Sequence, residues 1–346
     1  MHQEMIRQPS VENFGSKTMR TVNLWVILVL TGVVGACSSG HPGAAANAGA
    51  SRPPAGNAVA GTGSASAEDV AAQARGDVEC PAPASTPAPD PHAPVDDVLA
   101  VRPGMSYEEA MRAVLCSNPL MVATPVVNRG FEIQTYGQTV RQGFTARFAE
   151  AHVQKTSKQI VQEMQDEAMA RGMNRVVHDM HPGQSKWFVG TMGMPGQERV
   201  IDVAREEWFD DGHNPTVDSV VQALIGKYGS PSRRQDDGGI HQLTWIHDPL
   251  GRAVTETSPL FNQCQGSADP DGPLNLSANC GVIVSAMVHG QTSNPDLGEY
   301  LQVGVVDQAN GYTALNATTQ GLQAMEDQRR AKQVQDASEN AQAPQL

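Results

Sequence analysis

The sequence has no G-x-S-x-G elbow, no H-E-x-x-H, no G-x-x-x-x-G-K-[ST] loop and no C-x-x-C pair. Each missing pattern removes support for a chemistry that depends on it: serine hydrolysis, zinc proteolysis, nucleotide binding and dithiol redox exchange. Aromatic residues are scarce, at 5%. Positive charge is also short, with 24 Lys and Arg against 37 Asp and Glu, a formal net charge of -13. Such a chain repels phosphates, which disfavours nucleic acid as a partner. Long apolar runs are missing too, with one exception near the N-terminus.

That exception is Thr21 to Cys37, TVNLWVILVLTGVVGAC. Lys17 and Arg20 supply a positive flank, the apolar core is short for a membrane span, and Val34, Gly35 and Ala36 precede the cysteine. The ending resembles the bacterial lipobox, [LVI]-x-[GA]-C. The resemblance implies cleavage before Cys37, a diacylglycerol thioether on its sulfur and an acyl group on its new amine. A buried thiol, or the last turn of an uncleaved anchor, is the alternative. Several acyl chains hold firmly, since each buried methylene contributes about 0.8 kcal/mol and one chain alone binds marginally. Ser38 and Ser39 follow, with no Asp in the second position, which by the sorting rule of that class implies the outer membrane, on the periplasmic face more than the surface. Residues 1 to 36 are thus read as the signal. Glu4 and Glu12 suit a signal poorly, so Met19 is the expected start.

From 37 to 95 the chain reads as a lipidated, disordered tether. Residues 38 to 95 contain no Leu, Ile, Met or aromatic residue, too little apolar surface to offset the entropy of ordering. The proline-spaced stretch CPAPASTPAPDPHAP is expected to be extended, and the whole coil to span roughly 40 Å root-mean-square.

The body is expected to be α+β, with helices packed on an antiparallel sheet. In a first unit, 96 to 175, Ser106 and Glu109 form an S-x-x-E capping box ahead of Ala110, Met111, Val114 and Leu115, and Pro119 stops that helix. Phe131 to Tyr136 and Val140 to Phe148 read as a hairpin around Gly137-Gln138. A helix follows from Ala149 to Arg171, with Val153, Ile160, Val161, Met164 and Ala168 on its core face. In a second unit, 176 to 311, Lys186 to Met192 and Glu198 to Phe209 read as paired strands. After Thr216, the residues Val217, Val220, Val221, Leu224, Ile225 and Tyr228 recur at helical spacing before Gly229 and Pro231. Strands are expected at His241 to His247, Gly281 to His289 and Tyr300 to Asp307, and a polar helix at Tyr312 to Ala337, inside a C-terminal segment 312 to 346.

Helix then antiparallel strands thus occurs twice. Gly104-Met105-Ser106 with Glu109 resembles the opening G-M-[ST]-x-x-[EQ]-V of the SmpA/OmlA (BamE-like) outer-membrane lipoproteins. Ala110 replaces the valine, and Leu115-Cys116-Ser117-Asn118-Pro119 departs from that family's L-G-x-P ending. The match covers some twenty residues. It implies an envelope fold of helices on an antiparallel sheet, and transfers no assembly function.

With Cys37 lipidated, four cysteines remain for an oxidising compartment. Cys264 and Cys280 bracket a stretch without a core pattern, so a bridge there would pin a loop, and Cys80 with Cys116 then pair by elimination. For chemistry, His178 with His181 and Asp210-Asp211-Gly212-His213 are metal-like spellings without a fixed third ligand, and no metal is assigned. Asp269-Pro-Asp271-Gly272 lacks the closing glutamate of a calcium loop and reads as a turn. Asn275 and Asn316 open sequons that a bacterial address makes irrelevant. Trp187, Trp208 and Trp245 fit a core better than a sugar cleft. No cofactor and no catalytic residue are implied. The preferred function is an envelope scaffold or accessory binding protein, held to the membrane by its lipid and docking on an envelope protein. The alternatives are a peptidoglycan-binding or cell-wall-acting protein using Asp202, Glu206 or Glu207 for acid/base work, and a periplasmic enzyme inhibitor.

Overall fold

The computed structural model describes residues 65–80, 86–88, 90–127, 131–152, 155–172, 180–342 and 345, within the unit Gly61–Leu346. Cys37, the signal and the tether as far as residue 64 lie outside the described residues.

Eight strands form one antiparallel sheet in the order β1-β2-β3-β4-β8-β7-β6-β5. Helix α2 (Tyr107–Ser117) precedes β1 (Met121–Pro125), β2 (Gly143–Phe148), β3 (Ser185–Met192) and β4 (Arg199–Trp208), with α3 (Ser157–Gly172) between β2 and β3. Helix α4 (Val217–Tyr228) precedes β5 (Arg233–Asp237), β6 (Ile240–Ile246), β7 (Val282–Gln291) and β8 (Asn294–Asp307). Each set of four is a meander. The two meet where β4 pairs with β8, Asp202 opposite Val306 through Trp208 opposite Tyr300.

Both sheet faces are covered. Tyr107, Val114 and Leu115 of α2 and Val217, Val221 and Leu224 of α4 share one core with Trp187, Val203, Val284 and Val305. The other core joins Met192, Ile201, Ile283 and Val306 to Cys264, Leu274 and Cys280, with Leu315 of the final helix α5 (Gln308–Asn340) packed against it. Double coverage explains why β3 is buried at every position but Lys186, and why apolar alternation is weak in the central strands. Helix α4 follows its pattern closely: the Thr216 hydroxyl accepts the Ser219 N–H at 3.2 Å, and Gly229 N–H closes on Ile225 O at 2.9 Å.

Several expectations are corrected. The capping box of α2 is half made: Ser106 Oγ accepts the Glu109 N–H at 3.2 Å, but the Glu109 carboxylate turns to Thr86, accepting its N–H at 3.0 Å and its hydroxyl at 2.6 Å. Phe131 to Tyr136 is not a strand. The partner of β2 is β1, Met121 opposite Phe148, while Phe131 and Ile133 pack on the second core. Helix α3 begins at Ser157 instead of 149, and its expected core face is exposed, with Ile160 46%, Val161 52% and Met164 64% accessible. Val153 lies outside the described residues. Within the span read as disordered tether, α1 (Ala67–Arg75) forms and packs on β1. It carries a full capping box between Ser66 and Asp69, and Arg75 donates to Asn118 O at 2.6 Å. Its apolar contribution is small, Ala71 alone being buried, so helix caps and tertiary contacts order it where composition argues for coil. Helix α5 starts at Gln308, not Tyr312, because Asp307 caps it by accepting the Asn310 N–H at 3.2 Å.

Candidate functional site

Both expected disulfides are present. Cys80–Cys116 fastens the segment after α1 to α2. Cys264–Cys280 is buried and closes the loop that lies on the second face of the sheet. That loop seats tightly: a Cβ at Gly304 of β8 would stand 2.1 Å from Ser267 O, so only glycine admits the backbone there.

Beside the loop, β4, β8 and β7 present their side chains in rows. At one end Trp208 stands opposite Tyr300, and Tyr300 opposite His289. The rings stack: Trp208 and Tyr300 at 5.1 Å and 2°, His289 and Tyr300 at 3.9 Å and 15°. The next row holds Glu206, Gln302 and Met287. Glu206 is 3% exposed. It accepts Trp208 Nε1–H at 2.9 Å and Gln302 Nε2–H at 2.8 Å, with Lys186 Nζ at 3.6 Å. Lys186 also reaches Asp271 of the disulfide loop at 2.8 Å.

Further along the same face, under the loop, lies Asp202. It is 8% exposed, its Oδ1 has no hydrogen-bond partner among the described residues, and it borders a cavity of about 20 Å3 lined by Phe188 and by loop residues such as Gly266 and Leu274. That volume suits a single water. Burial pushes its pKa up to about 7.

Glu207 faces the opposite way, paired with Arg205 at 2.6 Å. Trp187 and Trp245 are core residues on that side, 1% and 2% exposed, with Trp245 Nε1–H donating to Gly229 O at 2.8 Å. The three carboxylates therefore do not converge. Glu206 and Glu207 are adjacent in sequence but on opposite faces, and Asp202 is sealed beneath the loop. Paired acid/base cleavage of a glycosidic bond needs two carboxyl groups across one open space. The stacked rings likewise spend their inner faces on one another instead of offering a platform to a sugar.

His181, Asp210, Asp211 and His213 are exposed, and His178 lies outside the described residues. No group of three His, Cys, Asp or Glu side chains suited to a metal occurs among the described residues. Asp269 to Gly272 is a turn, with the Asp271 N–H on Asp269 Oδ1 at 2.8 Å and the Gly272 N–H on Asp269 O at 2.9 Å. No helix among the described residues is long and apolar enough to cross a membrane.

No protein-family model, curated protein or solved structure matches this chain. Geometry and chemistry alone carry the functional reading. The ring row was missed in the sequence because Trp208 comes from β4, far along the chain from the consecutive strands β7 and β8 that carry His289 and Tyr300. The one legible signal is that Trp208, His289 and Tyr300 each stand at or next to the end of an expected strand.

Proposed function

We propose that the chain is a lipoprotein held in the outer membrane through Cys37, which acts by docking on an envelope protein and performs no catalysis. The observation that carries this reading is the row Trp208–Tyr300–His289 over a Glu206 already engaged by Trp208 and Gln302. Its acid is committed to holding the rings still. Its aromatic edges are rigid and half-buried, the kind of surface on which interfaces concentrate binding energy. A lipid on Cys37 would keep the chain at the membrane where such a partner sits.

Helix α2 ahead of β1 to β4, with α3 between β2 and β3, and helix α4 ahead of β5 to β8 support reading the body as a duplicated helix-on-sheet unit of the SmpA/OmlA kind, with Gly104, Met105, Ser106 and Glu109 opening the first copy. In-cell crosslinking and pull-down from the native envelope tests the proposal, comparing wild type, Cys37→Ala and Trp208→Ala. The expected result is one defined membrane protein with wild type, its loss with Cys37→Ala, and about tenfold less with Trp208→Ala, the scale of a ~1.4 kcal/mol interface residue. Recovery of glycan strands, or of nothing, from wild type would overturn docking, the former in favour of the wall-binding alternative.

A further inference from the structure

The two disulfides sit in opposite surroundings. Cys264 and Cys280 are each 1% exposed, walled in by the second core. Cys80 is exposed, and Cys116, in the last turn of α2, is half-buried. Disulfide exchange requires a thiolate to reach a sulfur, so access separates the two bridges. The first is open to a reagent from solvent and the second is closed to one.

What the accessible bridge holds is loosely seated. Helix α1 has nine residues, fewer than the ~12–15 at which an isolated helix becomes even marginal in water. It therefore depends on its seat, yet Ala71 is its only buried residue. The capping box of Ser66 and Asp69 closes within the first turn and fastens the helix to nothing else. Among the described residues, the ties to the body are the Arg75 donation to Asn118 O at 2.6 Å, the His152 N–H on Ala65 O at 2.9 Å, and Val78 against the first core. Packing is incomplete as well: a cavity of about 280 Å3 is bordered by Ala74 and Val78 on the α1 side and by Met111, Leu115 and Ala123 of the body. These ties are few against the entropy of ordering residues 65 to 80. The bridge from Cys80 to Cys116 supplies the remaining hold, anchored on a helix whose Val114 and Leu115 are buried.

We infer that Cys80–Cys116 is a thiol-exchange site, a latch that a dithiol reductant opens to release α1 from β1. The chain is here the substrate of exchange and not its catalyst. One thiolate of the reductant attacks Cys80 Sγ, the S–S bond breaks, and Cys116 leaves as a thiolate. The reductant's second thiolate attacks its own sulfur in the mixed disulfide, which closes the reductant's disulfide and frees Cys80. Two electrons pass to the bridge, and the two protons given up by the dithiol end on Cys80 and Cys116. Opening bares Met111, Leu115 and Ala123, and moves the first held point of the described chain from Ala65 to Thr86, which Glu109 binds. The buried bridge stays shut, so the loop over the second face keeps its place. The latch works whatever the ring row binds.

The full chain carrying Cys37→Ala, which leaves four cysteines, is treated with graded dithiothreitol, alkylated with iodoacetamide and mapped by mass spectrometry. Cys80 and Cys116 are expected to open at about tenfold less dithiothreitol than Cys264 and Cys280. On that opening the amides of α1 are expected to lose hydrogen-exchange protection about tenfold while those of α4 keep theirs, and reoxidation restores the protection of α1. Cys80→Ser with Cys116→Ser is expected to show the same loosened α1 without reductant. Three results would overturn the inference: both bridges opening at one dithiothreitol concentration, or the buried one first; unchanged protection of α1 after selective opening; or a fully protected α1 in the folded double variant. Should the double variant fail to fold, the first two readouts, taken on the bridged chain, decide.

Discussion

At the scale of single residues, Asp202 has the clearest consequence. Its carboxyl keeps a proton in the fold until about pH 7, whereas an unfolded chain releases it near pH 4. The native state therefore binds more protons between those limits, and stability is full in acid and falls as pH rises through that window. Three pH units correspond to about 4 kcal/mol. Asp202→Asn removes the ionisation. Its melting temperature is expected to match wild type near pH 3, below the unfolded carboxyl's range, and exceed it by several degrees at pH 8, and an equal offset at both values would refute the assignment. Glu206 shows what sequence offers and withholds at this scale. Strand alternation places Glu206 and Glu207 on opposite faces, but the partners of Glu206 arrive from β8 and from its own strand's end. Asp202 reads the same as its neighbours in sequence, and only the disulfide loop laid over it makes it different.

At the scale of elements, legibility followed how much of the stabilisation is local. Helix α4 was readable because its apolar spacing, Thr216 cap and Gly229 stop all agree. Strands β3 and β4 were readable through the tight connection Gly193-Met-Pro-Gly196. Strand β1 was hidden, being five residues with two half-exposed positions and a terminal proline, ordered by pairing with β2. Helix α3 shows the opposite failure: its period is helical, yet Ile160, Val161 and Met164 meet no core. Two element-scale outcomes follow from the geometry. Replacing Leu99-Ala100 by Asn-Gly relieves two unfavourable φ values, 44° and 69°, and is expected to stabilise by about 1–3 kcal/mol in denaturant titration. Removing the second bridge with Cys264→Ser and Cys280→Ser is expected to cost about 3 kcal/mol, the chain-entropy value for a loop of this size. An unchanged midpoint would show that Gly304 and the packing of Leu274 hold the loop unaided.

At the scale of the whole molecule, one sheet runs through the boundary expected between residues 175 and 176, because β2 pairs with β3 across it. Neither meander completes a core alone, since α2 and α4 contribute to the same apolar cluster. Unfolding in urea, followed by tryptophan fluorescence and by far-ultraviolet circular dichroism, is expected to give coincident single transitions. Two separated transitions would mean that the halves fold independently. The edges of this sheet have a further consequence. Strand β5 is Arg-Arg-Gln-Asp-Asp, without one apolar residue, which is why its sequence does not announce a strand. Its position as an outer strand makes that composition useful. Copies at high concentration would bring open strands side by side, and a charged, heavily solvated border discourages one chain from extending the sheet of the next. The least strand-like stretch of the sheet is thus suited to keeping concentrated copies of this chain from polymerising.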